Sequence, residues 1–346
     1  MKLIYIIVLL SVISTNLAKA QTTDLVTGLD FPCAFAFKGN ELYYAELEGD
    51  KISKIDITDP TPVPITVLDN GINRPISLAF KDDILYIAEL TGDEISKIDI
   101  TDTNPTPMTV LSGLDGPLSI EIKDDFLYIG EFFGKISKID ITESVPTQII
   151  LTTDTASPYD FEFNGNDLYI ADFSVSKISK IDITDTAPTP VTVLSEVDYP
   201  HAIVFDDDFN LLIGEYFNDR VIRRVNATNE TVVTGVDNPM EISIHDNRLY
   251  IAESDKISVL DLEILSISSF GHELSNETKI FPNPSSDFIH VSNLNKTTKY
   301  KIYDALSSLI LEGTVSNNQS INIQDLTNGI YFLKFEKRNT IKLIKK

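Results

Sequence analysis

Between residues 22 and 264, apolar and polar positions alternate in short stretches that are separated by Asn, Asp, Gly and Pro. Such period-two alternation between turn-forming residues predicts β-strands, as at 75–80 and 117–122. Other stretches, such as 85–89, are apolar at both odd and even positions. This second pattern indicates strands in sheets that are covered on both faces.

The strands belong to a repeat. The octapeptide Lys-Ile-Ser-Lys-Ile-Asp-Ile-Thr occurs unchanged at 51–58, 135–142 and 177–184, and with one difference at 94–101. A Leu-Tyr-Ile-Ala-Glu-like strand begins 38 to 43 residues after the start of the previous one, at Leu42, Leu85, Leu127, Leu168, Leu211 and Leu249. Six units of this length are typical of propeller blades.

Each unit contains four predicted strands. The first follows a proline and ends in a polar turn, the second is the Leu-Tyr-Ile-Ala-Glu strand, the third is the octapeptide, and a Pro-rich loop leads to the fourth. We therefore predict an all-β, six-bladed propeller. A two-sheet sandwich or a solenoid is the alternative, but six equal four-stranded units close more naturally into a ring.

The chain ends of the repeat indicate how the ring closes. The sixth unit lacks a fourth strand, whereas 24–32 matches 231–239, the fourth strand and loop of the fifth unit. Residues 22–27 are therefore predicted to complete the sixth blade.

The order of proline, strand, polar turn, Leu-Tyr-Ile-Ala-Glu/Asp and Lys/Arg-Ile strand resembles the six-bladed NHL-type and gluconolactonase-like propellers. The resemblance covers residues 22–264. It implies a fold and leaves the activity open, since such propellers host binding, lactone hydrolysis and lyase chemistry.

Two features recur in the blades and are therefore predicted to be framework. An acid ends every second strand: Glu46, Glu89, Glu131, Asp172, Glu215 and Glu253. A residue present in all blades is expected to accept backbone hydrogen bonds at a turn. The octapeptide lysines Lys54, Lys97, Lys138 and Lys180 are expected to form charge pairs with Asp56, Asp99, Asp140 and Asp182.

Candidate functional residues lie where the blades differ near the axis. Four carboxylates interrupt the small residues of the first strands, namely Glu121, Asp160, Glu162 and Glu241. Converging oxygen ligands can hold Ca²⁺ or Mg²⁺, and the resemblance implies a metal on acidic and amide side chains near the channel. Solvated or paired carboxylates are the alternative. His201 is a candidate general base in a lyase-type propeller.

Charge and cysteine content restrict the classes of binding partner and of covalent cross-link that we expect. Residues 21–265 carry 16 Lys and Arg against 45 Asp and Glu, whereas 266–346 carry 10 against 7. The acidic part argues against nucleic acid and favours cationic partners or solubility alone. Cys33, the only cysteine, excludes an internal disulfide and is expected to be a buried apolar residue, with a pairing or reactive role as the alternative.

The two ends of the chain predict export. Residues 1–20 combine a basic start, a short apolar core and Ala18-Lys19-Ala20, as secretory signal peptides do. No transmembrane segment is predicted, because no apolar run approaches 20 residues. After a linker at 266–278, residues 279–346 have the alternation and Asn-Gly turns of a small Ig-like β-sandwich.

This C-terminal segment resembles the type A sorting domain of the type IX (Por) secretion system of Bacteroidota. The residues that carry the resemblance include Pro282, Asn283, Pro284, Gly329 and Tyr331. A carbohydrate-binding or adhesion sandwich is the alternative. The resemblance implies passage through the periplasm, with the type IX machinery as a partner, to the outer cell surface or the medium.

The sequence thus predicts a signal peptide (1–20), a propeller (21–265), a linker (266–278) and a sorting domain (279–346). We expect a monomeric exported module that binds an unknown extracellular ligand or acts as a scaffold. The competing hypothesis is a metal-dependent lactonase-like hydrolase or lyase with its site at the channel.

Overall fold

The computed structural model describes residues 21–225, 228–262, 279–292, 297–304, 309–316, 319–335 and 340–346. The predicted signal peptide at 1–20 and the predicted linker at 266–278 lie outside the described residues. The chain divides into two compact units, Met1–Ser268 and Ser269–Lys346. Each unit is described by itself.

The first unit consists of six four-stranded antiparallel sheets, as the repeat predicts. Blade one contains β2 (Pro32–Lys38), β3 (Glu41–Glu46), β4 (Lys51–Asp56) and β5 (Ile65–Leu68). Blade two contains β6 (Pro75–Lys81), β7 (Ile84–Glu89), β8 (Glu94–Asp99) and β9 (Met108–Ser112). Blade three contains β10 (Pro117–Lys123), β11 (Phe126–Glu131), β12 (Ile136–Asp140) and β13 (Ile149–Thr152).

The remaining blades follow the same order. Blade four contains β14 (Pro158–Asn164), β15 (Asp167–Asp172), β16 (Lys177–Asp182) and β17 (Val191–Leu194). Blade five contains β18 (Pro200–Phe205), β19 (Leu211–Glu215), β20 (Arg220–Val225) and β21 (Thr228–Thr234). Blade six contains β22 (Glu241–His245), β23 (Arg248–Ala252) and β24 (Lys256–Asp261), with β1 (Thr23–Thr27) as its fourth strand. Short 3₁₀ helices follow β15 and β19, at Phe173–Val175 and Tyr216–Asn218.

The ring closes as predicted. Strand β1 pairs antiparallel with β24, and Lys256 Nζ lies 2.8 Å from Asp24 Oδ1. The first strand of each blade contacts that of the next, and β22 contacts β2. The chain ends of the repeat are therefore joined within one sheet.

Strands two and three form the core of every blade. In blade two, Leu85, Ile87 and Ile95 have no exposed surface and Ile98 has 1%. These strands are buried on both faces because each blade packs between two others. The predicted polar turns are confirmed as well: Asp82 and Asp124 adopt φ of 54° and 55°, a conformation that Asp tolerates better than most side chains.

The strand-two acids are framework residues, as predicted. Each accepts a backbone N–H from the loop that precedes strand one of its own blade, and the donors are Asp30, Asn73, Asp115, Ala156 with Ser157, Asp198 and Asp237, at 2.8 to 3.0 Å. In five blades, a Lys or Arg at or just before the start of strand three pairs with the acid. These contacts tie two loops of each blade together.

Among the described residues, no salt bridge joins the lysine and aspartate of one octapeptide, whereas Lys54 and Lys180 pair with Glu41 and Asp167 of strand two at 2.6 Å. Asp56 accepts hydrogen bonds from the backbone N–H and the hydroxyl of Thr58, and the other three octapeptides repeat this turn. The lysines instead lie over the strand-two tyrosine opposite them, with Lys54 Nζ 5.4 Å from the Tyr43 ring centroid. Lysine and aspartate share a strand face, but the cross-strand partner is closer than the residue two positions along.

The second unit contains two sheets that share a hydrophobic core. One sheet contains β25 (Lys279–Phe281), β26 (Phe288–Ser292) and β29 (Gln319–Asn322). The other contains β27 (Thr298–Asp304), β28 (Leu309–Val315), β30 (Gly329–Phe335) and β31 (Thr340–Lys345). Ile289, Ile302 and Leu333 are fully buried between the two sheets.

The sorting-motif residues hold this second unit together. Asn283 Nδ2 donates to Lys342 O at 2.7 Å, and its Oδ1 accepts from Ile344 N at 2.8 Å. The neighbouring Pro282 and Pro284 both follow cis peptide bonds. Tyr331 lies in the core and donates its hydroxyl to Thr327 O, while Gly329 begins β30. The motif therefore fastens the segment before β26 to the last strand.

Candidate functional site

The four predicted channel carboxylates line one cavity. Glu121, Asp160, Glu162 and Glu241 lie on the first strands of blades three, four and six, and they surround a central space of about 80 Å³. Blades one, two and five contribute Ala34, Ser77 and Val204, among other side chains, to the same wall. The prediction that these acids converge on the axis is consistent with this arrangement.

Asp160 also connects two blades. Its Oδ1 accepts from Phe161 N at 2.8 Å, and its Oδ2 accepts from Ile203 N of blade five at 2.7 Å. Ser77 occupies the equivalent position in blade two, and its hydroxyl accepts from Ile120 N at 3.0 Å. Asp160 therefore accepts the interblade hydrogen bond that a serine accepts in blade two.

Burial raises the pKa of all four carboxyl groups. The pKa of Glu162 rises to about 8, first because it is buried and then because Asp160 is near, and the pKa of Asp160 rises to about 7 through burial. The pKa values of Glu121 and Glu241 rise well above the usual range for the same two reasons. A substantial share of these carboxyl groups is therefore protonated at neutral pH.

The acids line one space without forming a close ligand set. Among the described residues, no group of three or more His, Cys, Asp or Glu side chains is placed to hold one metal ion. Carboxylates that ligate Ca²⁺ or Mg²⁺ stand within about 2.0 to 2.6 Å of the ion, so a cation here would need the side chains to move.

His201 is a buried, neutral side chain that is not among the residues lining the cavity of the four acids. Its Nδ1 lies 2.6 Å from Met240 O, and because a carbonyl can only accept, Nδ1 carries the proton. Burial lowers the pKa of His201 to about 4. The imidazole therefore stays uncharged at neutral pH and is a weak base.

An apolar layer lies where the first strands begin. The residues that directly follow the strand-one prolines include Cys33, Ile76, Leu118 and Met240, which all belong to one hydrophobic cluster. Cys33 is a free thiol that is buried, as we expected for an apolar packing residue. Burial raises its pKa. The four acids lie deeper along the strands, beyond this layer.

A cluster of aromatic rings lies at the same end, and the sequence analysis missed it. We define the proline end as the end of the propeller at which strand one begins and strand two ends in each blade. On blades four and five, the aromatic cluster at this end consists of Tyr159, Phe173, Tyr199, His201, Tyr216 and Phe217. Neighbouring rings lie 4.6 to 6.1 Å apart between centroids.

The cluster is open to solvent on one side. Phe217 is 60% exposed and Tyr199 is 38% exposed, whereas His201 is buried beneath them. A signal for the cluster exists in the sequence. The residue after the strand-two acid is Leu47 or Leu90 in the first two blades but aromatic in the next three, namely Phe132, Phe173 and Tyr216, and the last two of these belong to the cluster. Comparing the blades at this position would have found it.

The loops at the proline end are strongly acidic. Besides the buried Glu253, they carry twelve acidic side chains, of which all but the half-buried Asp198 are exposed: Asp30, Glu48, Asp50, Asp69, Asp93, Asp115, Asp154, Glu196, Asp198, Asp219, Asp237 and Asp255. Their two basic side chains are both paired, Arg74 with Glu48 at 2.7 Å and Lys135 with Glu131 at 2.8 Å. Burial, and then Asp237, raise the pKa of Tyr216, so this acid lies close to the aromatic cluster.

Solved structures of propeller proteins resemble the fold. Virginiamycin B lyase from Staphylococcus aureus matches with a TM-score of 0.53 and 16% identity, covering 70% of this chain and 99% of its own. A protein assigned as a gluconolactonase matches with a TM-score of 0.60 and 9% identity, covering 70% and 92%. A chain of a nidogen–laminin complex matches with a TM-score of 0.51 and 15% identity, covering 58% and 80%. At these identities the likeness establishes the fold alone.

A search of curated protein sequences found no significant match to the chain. The described residues include no helix that is both long and apolar enough to cross a membrane. Residues 279–346 match the family model described as the secretion system C-terminal sorting domain, the Por secretion tail. The chain therefore carries a C-terminal sorting domain of type IX secretion behind a propeller fold, and it is exported by this route to the cell surface or beyond.

Proposed function

We propose that the exported propeller is a binding module whose ligand surface is the aromatic cluster at the proline end. The observation that carries the proposal is the exposure of Phe217 and Tyr199 over a layer of packed rings. Exposed aromatic side chains that stand on a rigid base are typical anchors of binding surfaces. They also break the symmetry of the blades, and framework residues do not.

The channel acids and His201 support binding better than catalysis. His201 donates Nδ1–H to a backbone carbonyl and has a pKa of about 4, so its imidazole is a weak general base. Asp160 satisfies two backbone N–H groups. In this proposal both residues position their blades, and Glu121, Glu162 and Glu241 contribute a polar channel wall beneath the ligand surface.

A metal-dependent hydrolase or lyase remains the second candidate because four carboxylates face one cavity. It predicts a Ca²⁺- or Mg²⁺-dependent activity, such as lactone hydrolysis, that is lost in Asp160→Asn. Observing that activity, together with cation binding that the same substitution removes, would replace the binding proposal.

The binding proposal is tested with the mature full-length chain on a sensor surface. Three probes are titrated, namely an arginine–glycine repeat peptide, a glutamate–glycine repeat peptide and a neutral cello-oligosaccharide. We expect saturable binding of at least one probe, and at least about tenfold weaker binding of it by a variant carrying both Tyr199→Ala and Phe217→Ala, since aromatic anchors contribute about 1–2 kcal/mol each.

Phe209→Ala is the matched control. Phe209 is 71% exposed but lies in the turn between β18 and β19, at the opposite end of blade five. This variant should bind like the wild-type protein. The proposal is wrong if none of the probes binds, or if the double variant keeps the affinity of the wild type for every probe.

A further inference from the structure

We propose that the ligand of the aromatic cluster is a positively charged polypeptide segment, with its Arg or Lys side chains over the exposed rings. This inference rests on the proposed binding function and adds the chemical class of the ligand. It follows from the placement of charge and of aromatic rings at the proline end.

The rings are available to an external cation. Within the described residues, the lysines that stand over aromatic rings use Tyr43, Phe80, Tyr86, Phe126, Tyr128, Phe163 and Tyr169, none of which belongs to the aromatic cluster. The aromatic faces of Tyr199 and Phe217 carry negative charge density, which attracts ammonium and guanidinium groups. The propeller already uses this interaction internally, in the Lys–Tyr pairs of its octapeptide strands.

The electric field around the cluster has the sign that a cation requires. The proline-end loops carry twelve exposed or half-buried carboxylates, and their basic side chains Arg74 and Lys135 are both paired within those loops or with a strand-two acid. At the starts of strand three, Lys51, Lys177, Arg220 and Lys256 are likewise paired with strand-two acids. Apart from Glu48, the twelve carboxylates have no partner among the salt bridges of the described residues. Negative charge of this density attracts a cationic ligand and raises its association rate.

The spread of the acids favours a polymer over a small cation. The aromatic cluster occupies blades four and five, whereas the carboxylates lie on loops of all six blades. A single ammonium ion would contact only the rings and their neighbours Asp198 and Asp237. A basic segment several residues long can place one side chain on the rings and others against the surrounding loops.

The test measures binding of the full mature chain to three peptides of equal length, built from arginine–glycine, lysine–glycine and citrulline–glycine repeats. Citrulline keeps the shape and most hydrogen bonds of arginine but has no charge. We expect the arginine and lysine peptides to bind at least about tenfold more tightly than the citrulline peptide, and to weaken as the salt concentration rises from about 0.05 M to 0.3 M.

Two pairs of substitutions locate the binding. Tyr199→Ala with Phe217→Ala should weaken arginine-peptide binding at least about tenfold, because it removes both exposed rings that the cationic side chains would contact. Asp198→Asn with Asp237→Asn should weaken it about three- to tenfold while keeping the shape of the surface. Phe209→Ala with Asp207→Asn, at the opposite end of blade five, should leave it unchanged. Circular dichroism and melting of each variant establish that the fold is retained.

The possible outcomes distinguish failure of this inference from failure of the proposed binding function. If the oligosaccharide binds, the aromatic double variant loses that binding and the arginine peptide does not bind, then the binding function holds and the cationic ligand is wrong. If the arginine peptide binds but the opposite-end variant weakens it as much as the aromatic variant does, the attraction is non-specific and the inference is overturned. If no probe binds, both proposals fail.

Discussion

At the scale of single residues, the same residue type serves different purposes according to its depth in the propeller. The strand-two acids, such as Glu46, are buried but stabilised by a backbone N–H and a lysine. The channel acids Glu121 and Glu162 are buried without a cation, so their pKa values rise. Burial of a carboxyl group is tolerated in the first case because it is paired, and in the second because the group can hold a proton.

The raised pKa values predict how stability depends on pH. A carboxyl group whose pKa is higher in the folded than in the unfolded chain stabilises the fold below the unfolded pKa, and this contribution is lost as the pH rises through the folded value. For Glu162 the two values are 4.5 and about 8. The free energy of unfolding should therefore fall between about pH 4.5 and 8 for this residue, by an amount on the order of a few kcal/mol.

Glu162→Gln should remove this contribution. Denaturant titrations between pH 5 and 9 should show the variant gaining stability relative to the wild-type protein as the pH rises, because the amide cannot ionise. Asp207→Asn, in an exposed turn, is the control. A stability difference between Glu162→Gln and wild type that does not change with pH would contradict the raised pKa.

At the scale of the structural element, the blades repeat one arrangement, in which the acid at the end of strand two binds the loop before strand one and a cation at the start of strand three. Blade two departs from it. Its octapeptide begins with Glu94 where the others have lysine, so the buried Glu89 faces a second acid. The pKa of Glu89 is raised, first by burial and also by Glu94.

Glu94→Lys should stabilise the propeller. The new ammonium group would lie where Lys51 and Lys177 meet the acids of their own blades, and we expect a gain of about 1 kcal/mol in the free energy of unfolding at neutral pH. The measurement is a urea unfolding curve of the full chain. Glu94→Gln removes the repulsion without adding a cation and should give a smaller gain. Loss of stability in Glu94→Lys would contradict the expected pairing of the new ammonium group with Glu89.

At the scale of the whole molecule, closure of the ring depends on the first described residues. Strand β1 is the fourth strand of blade six, and the backbone of Leu29 donates to Asp255 O at 2.9 Å. Joining the two ends of the repeat in one sheet leaves no blade free to separate from the ring. The unfolding of all six blades is therefore expected to be cooperative.

Removing residues 21–27 from a chain that begins at residue 21 should destabilise the entire propeller. The deletion exposes the edge of β24 and removes the buried side chain of Val26, so we expect a fall of several degrees or more in the melting temperature. Differential scanning calorimetry of the full chain, with the three-residue substitution Thr22→Ser, Thr23→Ser and Thr27→Ser as the control, provides the measurement. Unchanged melting of the truncated chain would contradict this closure.

The local sequence pattern was sufficient to predict the fold and the route of export. Period-two alternation, the octapeptide and the match of 24–32 to 231–239 are properties of neighbouring residues, and they predicted the blades and the closing strand. The role of the strand-two acids also followed, because a residue repeated in every unit must serve the unit. The hydrogen bonds of Asn283 to the last strand give a structural reason for a motif that the sequence identified only by resemblance.

The sequence by itself thus determined the repeat, the ring and the sorting domain, whereas the tertiary structure decided what the unrepeated residues do. The raised pKa of Glu162 comes first from its burial within the ring, and the hydrogen bond of His201 is made to Met240, 39 residues away in the chain. The aromatic cluster combines side chains from Tyr159 to Phe217, which become neighbours only when blades four and five pack together. Local periodicity carries no information about such contacts, because they depend on how the blades face one another around the axis.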